Sequence, residues 1–186
     1  MILSRSRRLF AVLAATLLTA AGLLISPAPA LAAITTYVSV KKPDWATSVK
    51  VLDMREYSKD NYGRAQLWAL RKTGEVRNQR WTITRVGSDE YGQGIYTLRN
   101  SLSQKCLDQP GGGGNGTPVV QMTCDKNSIS QQWVFEDIFG DGTAWQPLSN
   151  NSSGLCLDVT DVSYTDGALL QVWHCVGDWN QRWNIS

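Results

Sequence analysis

A glutamine two residues ahead of a tryptophan occurs three times, as Gln79-Arg80-Trp81, Gln131-Gln132-Trp133 and Gln181-Arg182-Trp183, and the tryptophans stand 52 and 50 residues apart. Self-similarity at a fixed long period marks a repeated structural unit. Asn precedes two of the three, at Asn78 and Asn180, and each lies downstream of an apolar-Leu-Asp step: Val51-Leu52-Asp53, Cys106-Leu107-Asp108 and Cys156-Leu157-Asp158. The chain therefore reads as three repeats, over about residues 34–92, 93–142 and 143–186.

Residues 1–33 stand outside this pattern. Arg5, Arg7 and Arg8 precede an apolar run from Ala11 to Ile25, and Ser26 to Ala33 offers small-x-small cleavage sites, the layout of an export signal. A membrane anchor is the competing reading, but 15 apolar residues fall short of the roughly 20 that a bilayer requires. Ser6-Arg7-Arg8-Leu9-Phe10 also approximates a twin-arginine sequence of bacterial export. A secreted protein, with one domain over 34–186, is the expectation.

Charge narrows the partners. Of 18 basic and 16 acidic residues, three basic and no acidic ones fall in residues 1–33, leaving 15 against 16, a net charge of −1. Without a positive surplus, phosphate-driven binding loses its main source of affinity, so no nucleic acid is expected. The remaining 153 residues suit one domain with an ordinary core, and nothing in the sequence asks for a second subunit; a monomer is expected.

Four cysteines fall as one pair in repeat two and one in repeat three, with separations of 18 and 19 residues. Four cysteines allow three pairings, and only Cys106–Cys124 with Cys156–Cys175 treats the repeats alike. Zinc is the competing reading. It lacks any CxxC spacing, and the one histidine, His174, adjoins Cys175, so neither a metal nor any other cofactor is expected. Repeat one has Val51 and Leu70 in place of cysteines and is expected to hold together by apolar packing alone.

Between these landmarks the pattern is strand and turn. Segments 96–100, 118–124, 132–135 and 168–173 are short, rich in β-branched and aromatic residues, and separated by Gly, Asn, Asp and Ser, which is the pattern of many short strands. Three repeats of about four strands, closed around a threefold axis, bury one shared core and remove most open sheet edges. The fold class expected is all-β, a β-trefoil. Trp81, Trp133 and Trp183 recur in every repeat and are expected in that core.

The residues resemble a known family, the ricin B-chain-like trefoil lectins, also found as carbohydrate-binding modules of bacterial glycosidases. The resemblance covers about residues 35–186. It rests on Cys-Leu-Asp, on Asp166-Gly167 through Gln171-Val172-Trp173 to Cys175, and on Asn180-Gln181-Arg182-Trp183. It implies a carbohydrate partner, with galactose-, arabinose- and xylose-type sugars all within its range.

The residue types fit that implication. A sugar presents hydroxyls that need directional partners and a C–H face that lies well on an aromatic ring. In repeat three, Asp158 would accept from two hydroxyls, Asn180 would add an amide, Trp173 would stack, and Gln171 and Gln181 would orient them. Strand alternation places Gln171 and Trp173 on one face and Val172 on the other. Repeat one repeats the set as Asp53, Gln66, Trp68, Asn78 and Gln79, with 13 residues from Trp68 to Trp81 against 10 from Trp173 to Trp183. Repeat two departs from it. Val120 takes the Gln place, Met122 the aromatic place and Ser130 the Asn place, so its pocket is expected to be silent and Asp108 to serve a turn.

Blander readings stand beside these. Trp68 and Trp173 also suit a core, and Asp53 and Asp158 also suit Asx-type turns. Gly111 to Gly116 lacks the Lys-Ser/Thr of a phosphate loop, and His174 lacks a Gly-x-Ser-x-Gly partner. Acid pairs such as Asp158 with Asp161 or Asp89 with Glu90 are candidate glycosidase carboxylates, but neighbouring acids in polar turns are more often solvated. Sugar binding without catalysis is the leading expectation, with a loop-presenting protease inhibitor and a small glycoside hydrolase as alternatives.

Overall fold

In the computed structural model of the protein, residues 33–135 and 145–185 are described; the export-signal reading of residues 1–33 falls almost wholly outside them. Each repeat supplies four strand positions. In repeat one the first is broken at Tyr37 into β1 (Ile34–Thr36) and β2 (Val38–Val40), followed by β3 (Lys50–Met54), β4 (Gly63–Ala69) and β5 (Trp81–Ser88). Repeat two has β6 (Gly94–Asn100), β7 (Cys106–Asp108), a two-residue β8 (Thr117–Pro118), β9 (Val120–Met122) and β10 (Trp133–Phe135). Repeat three has β11 (Gln146–Asn150), β12 (Cys156–Val159), β13 (Leu170–Trp173) and β14 (Arg182–Ile185).

Antiparallel pairing runs β1 to β5, β5 to β6, β6 to β10, β10 to β11, β11 to β14 and β14 to β2. Because β1 and β2 are consecutive in the chain, this ring of six positions closes on itself, and closure is what removes sheet edges. The hairpins β3–β4, β7–β9 and β12–β13 cap one end and touch one another through Gly63–Gln121, Gln171–Pro118 and Gln66–Leu169. This is the β-trefoil that the sequence predicts.

The three repeated tryptophans fill its centre. Trp81, Trp133 and Trp183 are fully buried, and their indole N–H groups donate to the carbonyls of Leu52, Leu107 and Leu157 at 3.1, 3.1 and 2.9 Å. Each bond ties a barrel strand to the hairpin strand that carries the Leu-Asp step, so ring burial and a satisfied donor come from one residue. The disulfides are Cys106–Cys124 and Cys156–Cys175, as repeat symmetry requires.

Repeat one corrects one expectation. Val51 is fully buried in the disulfide's place, yet apolar packing does not act alone: Lys50 forms an ion pair with Asp166, whose Oδ1 also accepts from the Ala69 N–H at 2.7 Å. The contact belongs to a threefold set. Asn115 Oδ1 accepts from His174 N–H at 2.7 Å and Asn61 Oδ1 from Thr123 N–H at 2.9 Å. In every repeat, a polar side chain from the preceding unit holds the backbone just past the Trp68, Met122 or Trp173 position.

Candidate functional site

Each Leu-Asp step ends in a buried carboxylate. Asp158 is almost wholly enclosed; Gln171 Nε2 donates to its Oδ1 at 2.8 Å, and Asn180 Nδ2 and Gln181 Nε2 donate to its Oδ2 at 2.8 and 3.0 Å. Gln181 Nε2 also reaches the His174 carbonyl at 3.0 Å, while its Oε1 accepts from the Val176 N–H at 2.8 Å. The repeated Gln is therefore a clasp that joins the carboxylate to the backbone beyond Trp173. Burial raises the Asp158 carboxyl above its ordinary value, with the three amide bonds and the nearby His174 opposing.

The aspartates do not close local turns. Asp53 repeats the arrangement: Gln66 Nε2 donates to Oδ1 at 2.9 Å, and Asn78 Nδ2 and Gln79 Nε2 to Oδ2 at 2.9 and 3.0 Å. Gln79 likewise spans to the Ala69 carbonyl at 3.0 Å. Burial again raises the carboxyl, against Gln66, Gln79, the Arg71 guanidinium and Asn78.

Trp173 lies at the surface, 36% exposed, and Trp68 is half-buried, whereas the three core tryptophans are closed to solvent. The structure thus gathers Asp158, Gln171, Trp173, Asn180 and Gln181 around one cavity of about 360 Å³. Asp53, Gln66, Trp68 and Asn78 line another of about 470 Å³, with Gln79 behind them on Asp53. A glycine from the neighbouring repeat edges each ring. Gly116 (φ 85°) lies so close to Trp173, and Gly167 (φ 88°) so close to Trp68, that a Cβ on either would sit 3.8 or 3.9 Å from the indole. The repeat-one cleft is also lined by Gly167 and Leu169 of repeat three, whereas the repeat-three cleft is lined by its own repeat alone.

Sequence reasoning missed the opposite wall. Glu56 and Tyr57 in repeat one, and Asp161 and Val162 in repeat three, form single turns with φ between 50 and 56°. Such angles suit glycine and are unusual for a β-branched residue. Repeat two has Gly111 and Gly112 at the same places (φ 86 and 72°), so the signal was the one repeat that obeys the backbone preference. Tyr57 and Val162 stay exposed and line the clefts.

A second omission is Arg71. Its backbone N–H donates to Gln79 Oε1 at 2.9 Å, the same bond that Val176 makes to Gln181, and its Nη2 donates to Asp53 Oδ2 at 3.0 Å and Asn78 Oδ1 at 2.7 Å. In repeat three no arginine does this, and the buried Asn180 Oδ1 has no partner. Comparing Trp68-Ala-Leu-Arg71 with Trp173-His-Cys-Val176 would have found it.

Repeat two keeps the clasp and loses the rest. Gln131 Nε2 donates to Asp108 Oδ2 at 2.8 Å and to the Thr123 carbonyl at 3.0 Å, so Asp108 anchors the clasp rather than a turn. With Val120 in the Gln place, the buried Asp108 Oδ1 has no donor. His174 faces Asn115, with Nδ1 and Nδ2 3.1 Å apart. Among the described residues no cluster of three or more His, Cys, Asp or Glu stands ready for a metal ion.

A closed six-position barrel with three hairpin caps and one buried Asp-Gln clasp per repeat defines a β-trefoil of three like units. The family model described as ricin-type beta-trefoil lectin domain-like matches residues 44–122, 77–173 and 129–186, and the chain belongs to that family. No curated protein matches the chain. Among solved structures it is similar to a designed threefold-symmetric protein, ThreeFoil, at 27% identity and TM-score 0.65, covering 81% of this chain and 96% of that one. An exo-β-1,3-galactanase from Clostridium thermocellum is also 27% identical, with TM-score 0.67 over 86% of this chain; the match spans only 30% of the galactanase. The C-half of an earthworm R-type lectin in complex with GalNAc shares the fold at 18% identity and TM-score 0.55, covering 81% and 98%.

Proposed function

We propose that this protein is an exported carbohydrate-binding module without catalysis of its own, gripping galactose-, arabinose- or xylose-type sugars on a polysaccharide or glycan surface. The observation that carries the reading is the unpartnered Asn180 Oδ1 beside the Asp158 carboxylate and the exposed face of Trp173. A buried acceptor without a donor is unfavourable, and a sugar hydroxyl is a donor of the right kind. Arg71 illustrates the fit, since at the equivalent place in repeat one it donates to both Asn78 Oδ1 and Asp53 Oδ2. The galactanase and the GalNAc-bound lectin support the ligand class, and the two disulfides and the signal-like N-terminus support export.

Catalysis has less behind it. Glycoside hydrolysis needs a proton donor and a second carboxylate flanking one bond, whereas Asp158 is held by three amide donors that fix it as an acceptor. Two clefts on one rigid body gain by simultaneous engagement, which favours a polymer or a decorated surface. A glycan array read beside generic glycosidase substrates tests this: binding with no turnover is expected, and turnover without retention on any glycan would overturn it.

A further inference from the structure

The two clefts differ in which hydrogen-bonding groups they leave open. Arg71 Nη2 already occupies Asp53 Oδ2 and Asn78 Oδ1, the acceptors that a neutral sugar's hydroxyls would seek. A guanidinium carries five N–H donors, and here the buried Nε has no acceptor. The group lies over Tyr57, Cζ 5.0 Å from the ring centroid, with the side chain a quarter exposed. Arg55 lines the same cavity and ion-pairs at 3.2 Å with Glu56, which lines it too, so the two cations there balance Asp53 and Glu56. An occupant of repeat one must therefore bring acceptors. Repeat three presents the reverse: Asp158, Asp161 and Asp178 line its cavity with no lysine or arginine among the lining residues, and Asn180 Oδ1 waits for a donor.

We propose that the repeat-one cleft selects a sugar bearing a carboxylate, such as a uronate, through Arg71 with Arg55 at the rim, while repeat three takes neutral sugars and rejects acidic ones. The inference rests on the reading of both clefts as sugar sites. A carboxylate on a guanidinium forms the stronger, charge-assisted kind of hydrogen bond and matches its planar fork. Trp68 supplies the stacking face in repeat one and Trp173 in repeat three. Three acids around the other cavity repel the same ligand.

The test titrates the protein with methyl galactoside and the matching galacturonide, which differ only in the carboxylate at C6. Galacturonide binding should survive Trp173→Ala, fall about tenfold or more in Arg71→Val, the worth of one hydrogen bond to a charged group, and weaken as salt rises. Galactoside binding should show the opposite dependence on the two substitutions, and Val176→Arg should give repeat three affinity for the acid. Galacturonide binding unchanged by Arg71→Val overturns the inference, as does galactoside binding alone with no affinity for the acid. Retention of no glycan at all overturns instead the reading beneath it. Should Arg71→Val melt early, Arg71→Lys keeps the charge without the fork; reduced acid affinity is expected, and full affinity overturns the proposal.

Discussion

Repeats one and three build the same clasp and leave opposite openings. Both hold a buried Asp by a strand Gln, an Asn and the repeated Gln, and both set a tryptophan against a glycine from the neighbouring unit. The difference that decides which acceptors are taken is the side chain three residues past that tryptophan. Arg71 fills its own cleft's acceptors, and Val176 brings no donor to the buried Asn180 Oδ1. Shared scaffolding with changed wall residues, Arg71 against Val176 and Tyr57 against Val162, is a means by which one fold could hold two ligand preferences, since affinity differences between ligands come from what the site rejects as well as from what it holds.

The comparison breaks most severely if the scaffold itself is not shared. Trp81→Ala and Trp183→Ala each empty a fully buried site and orphan a leucine carbonyl, so each should cost about 3–5 kcal/mol. Thermal or denaturant unfolding measures this. Equal losses in the two repeats are expected; a mild effect at one would mean that its cap does not depend on the tryptophan as its twin does.

Removing the surface rings should be different in kind. Trp173→Ala should cost about 1–3 kcal/mol of sugar affinity, taking base stacking on aromatic side chains as the nearest scale, with the melting temperature close to that of the parent. Trp68→Ala should lose galacturonide affinity to a similar extent, with a somewhat earlier melt because that ring is half-buried. Sugar titration with parallel melts decides it. A Trp173→Ala protein that binds galactoside as well as the parent would place the neutral-sugar site elsewhere.

Much of this was legible in the sequence because the repeats could be read against each other. The period gave the trefoil, the paired cysteines their partners, and the recurrence of Trp81, Trp133 and Trp183 their burial. What stayed hidden depends on the chain closing in three dimensions. Asn61, Asn115 and Asp166 serve the next unit around the axis, 62, 59 and 97 residues from their partners, and no local pattern signals such a bond. Arg71 was hidden differently. A lone arginine in a polar loop is ordinary, and its meaning came only from the two acceptors that it covers. The left-handed turns at Tyr57 and Val162 were masked because their side chains suit strands better than turns.

Acidity probes the two carboxylates. Burial raises both Asp53 and Asp158, so the folded chain takes up these protons more readily than the unfolded chain does. Their protonation therefore favours the fold: that contribution is complete below the ordinary Asp value of about 3.9 and fades as pH rises through each raised value. Binding runs the other way. A protonated Asp158 accepts less well from hydroxyls, so affinity for a neutral sugar should fall on acidification with a midpoint above the ordinary Asp value, while the protein remains folded. Titration against pH with a concurrent melt checks this; affinity that holds until the protein unfolds would remove Asp158 from the contact set.

The smallest effect concerns the wall that faces the rings. Val162 sits at φ 50° with its side chain more than half exposed, a conformation that costs a β-branched residue about 1–2 kcal/mol. Glycine relieves that strain but loses more backbone entropy on folding, about 0.5–1 kcal/mol. Val162→Gly should thus raise stability by about 0.5–1 kcal/mol, moving repeat three toward the glycines that repeat two has at Gly111 and Gly112. It should also widen the cleft and weaken sugar binding, because the valine is one of three apolar residues that line it, with Trp173 and Val176. The paired outcome, a higher melting temperature with lower affinity, is what a strained residue retained for binding gives. A variant that melts lower would mean instead that the valine steadies the turn by packing, and that the wall and the fold are not in competition there.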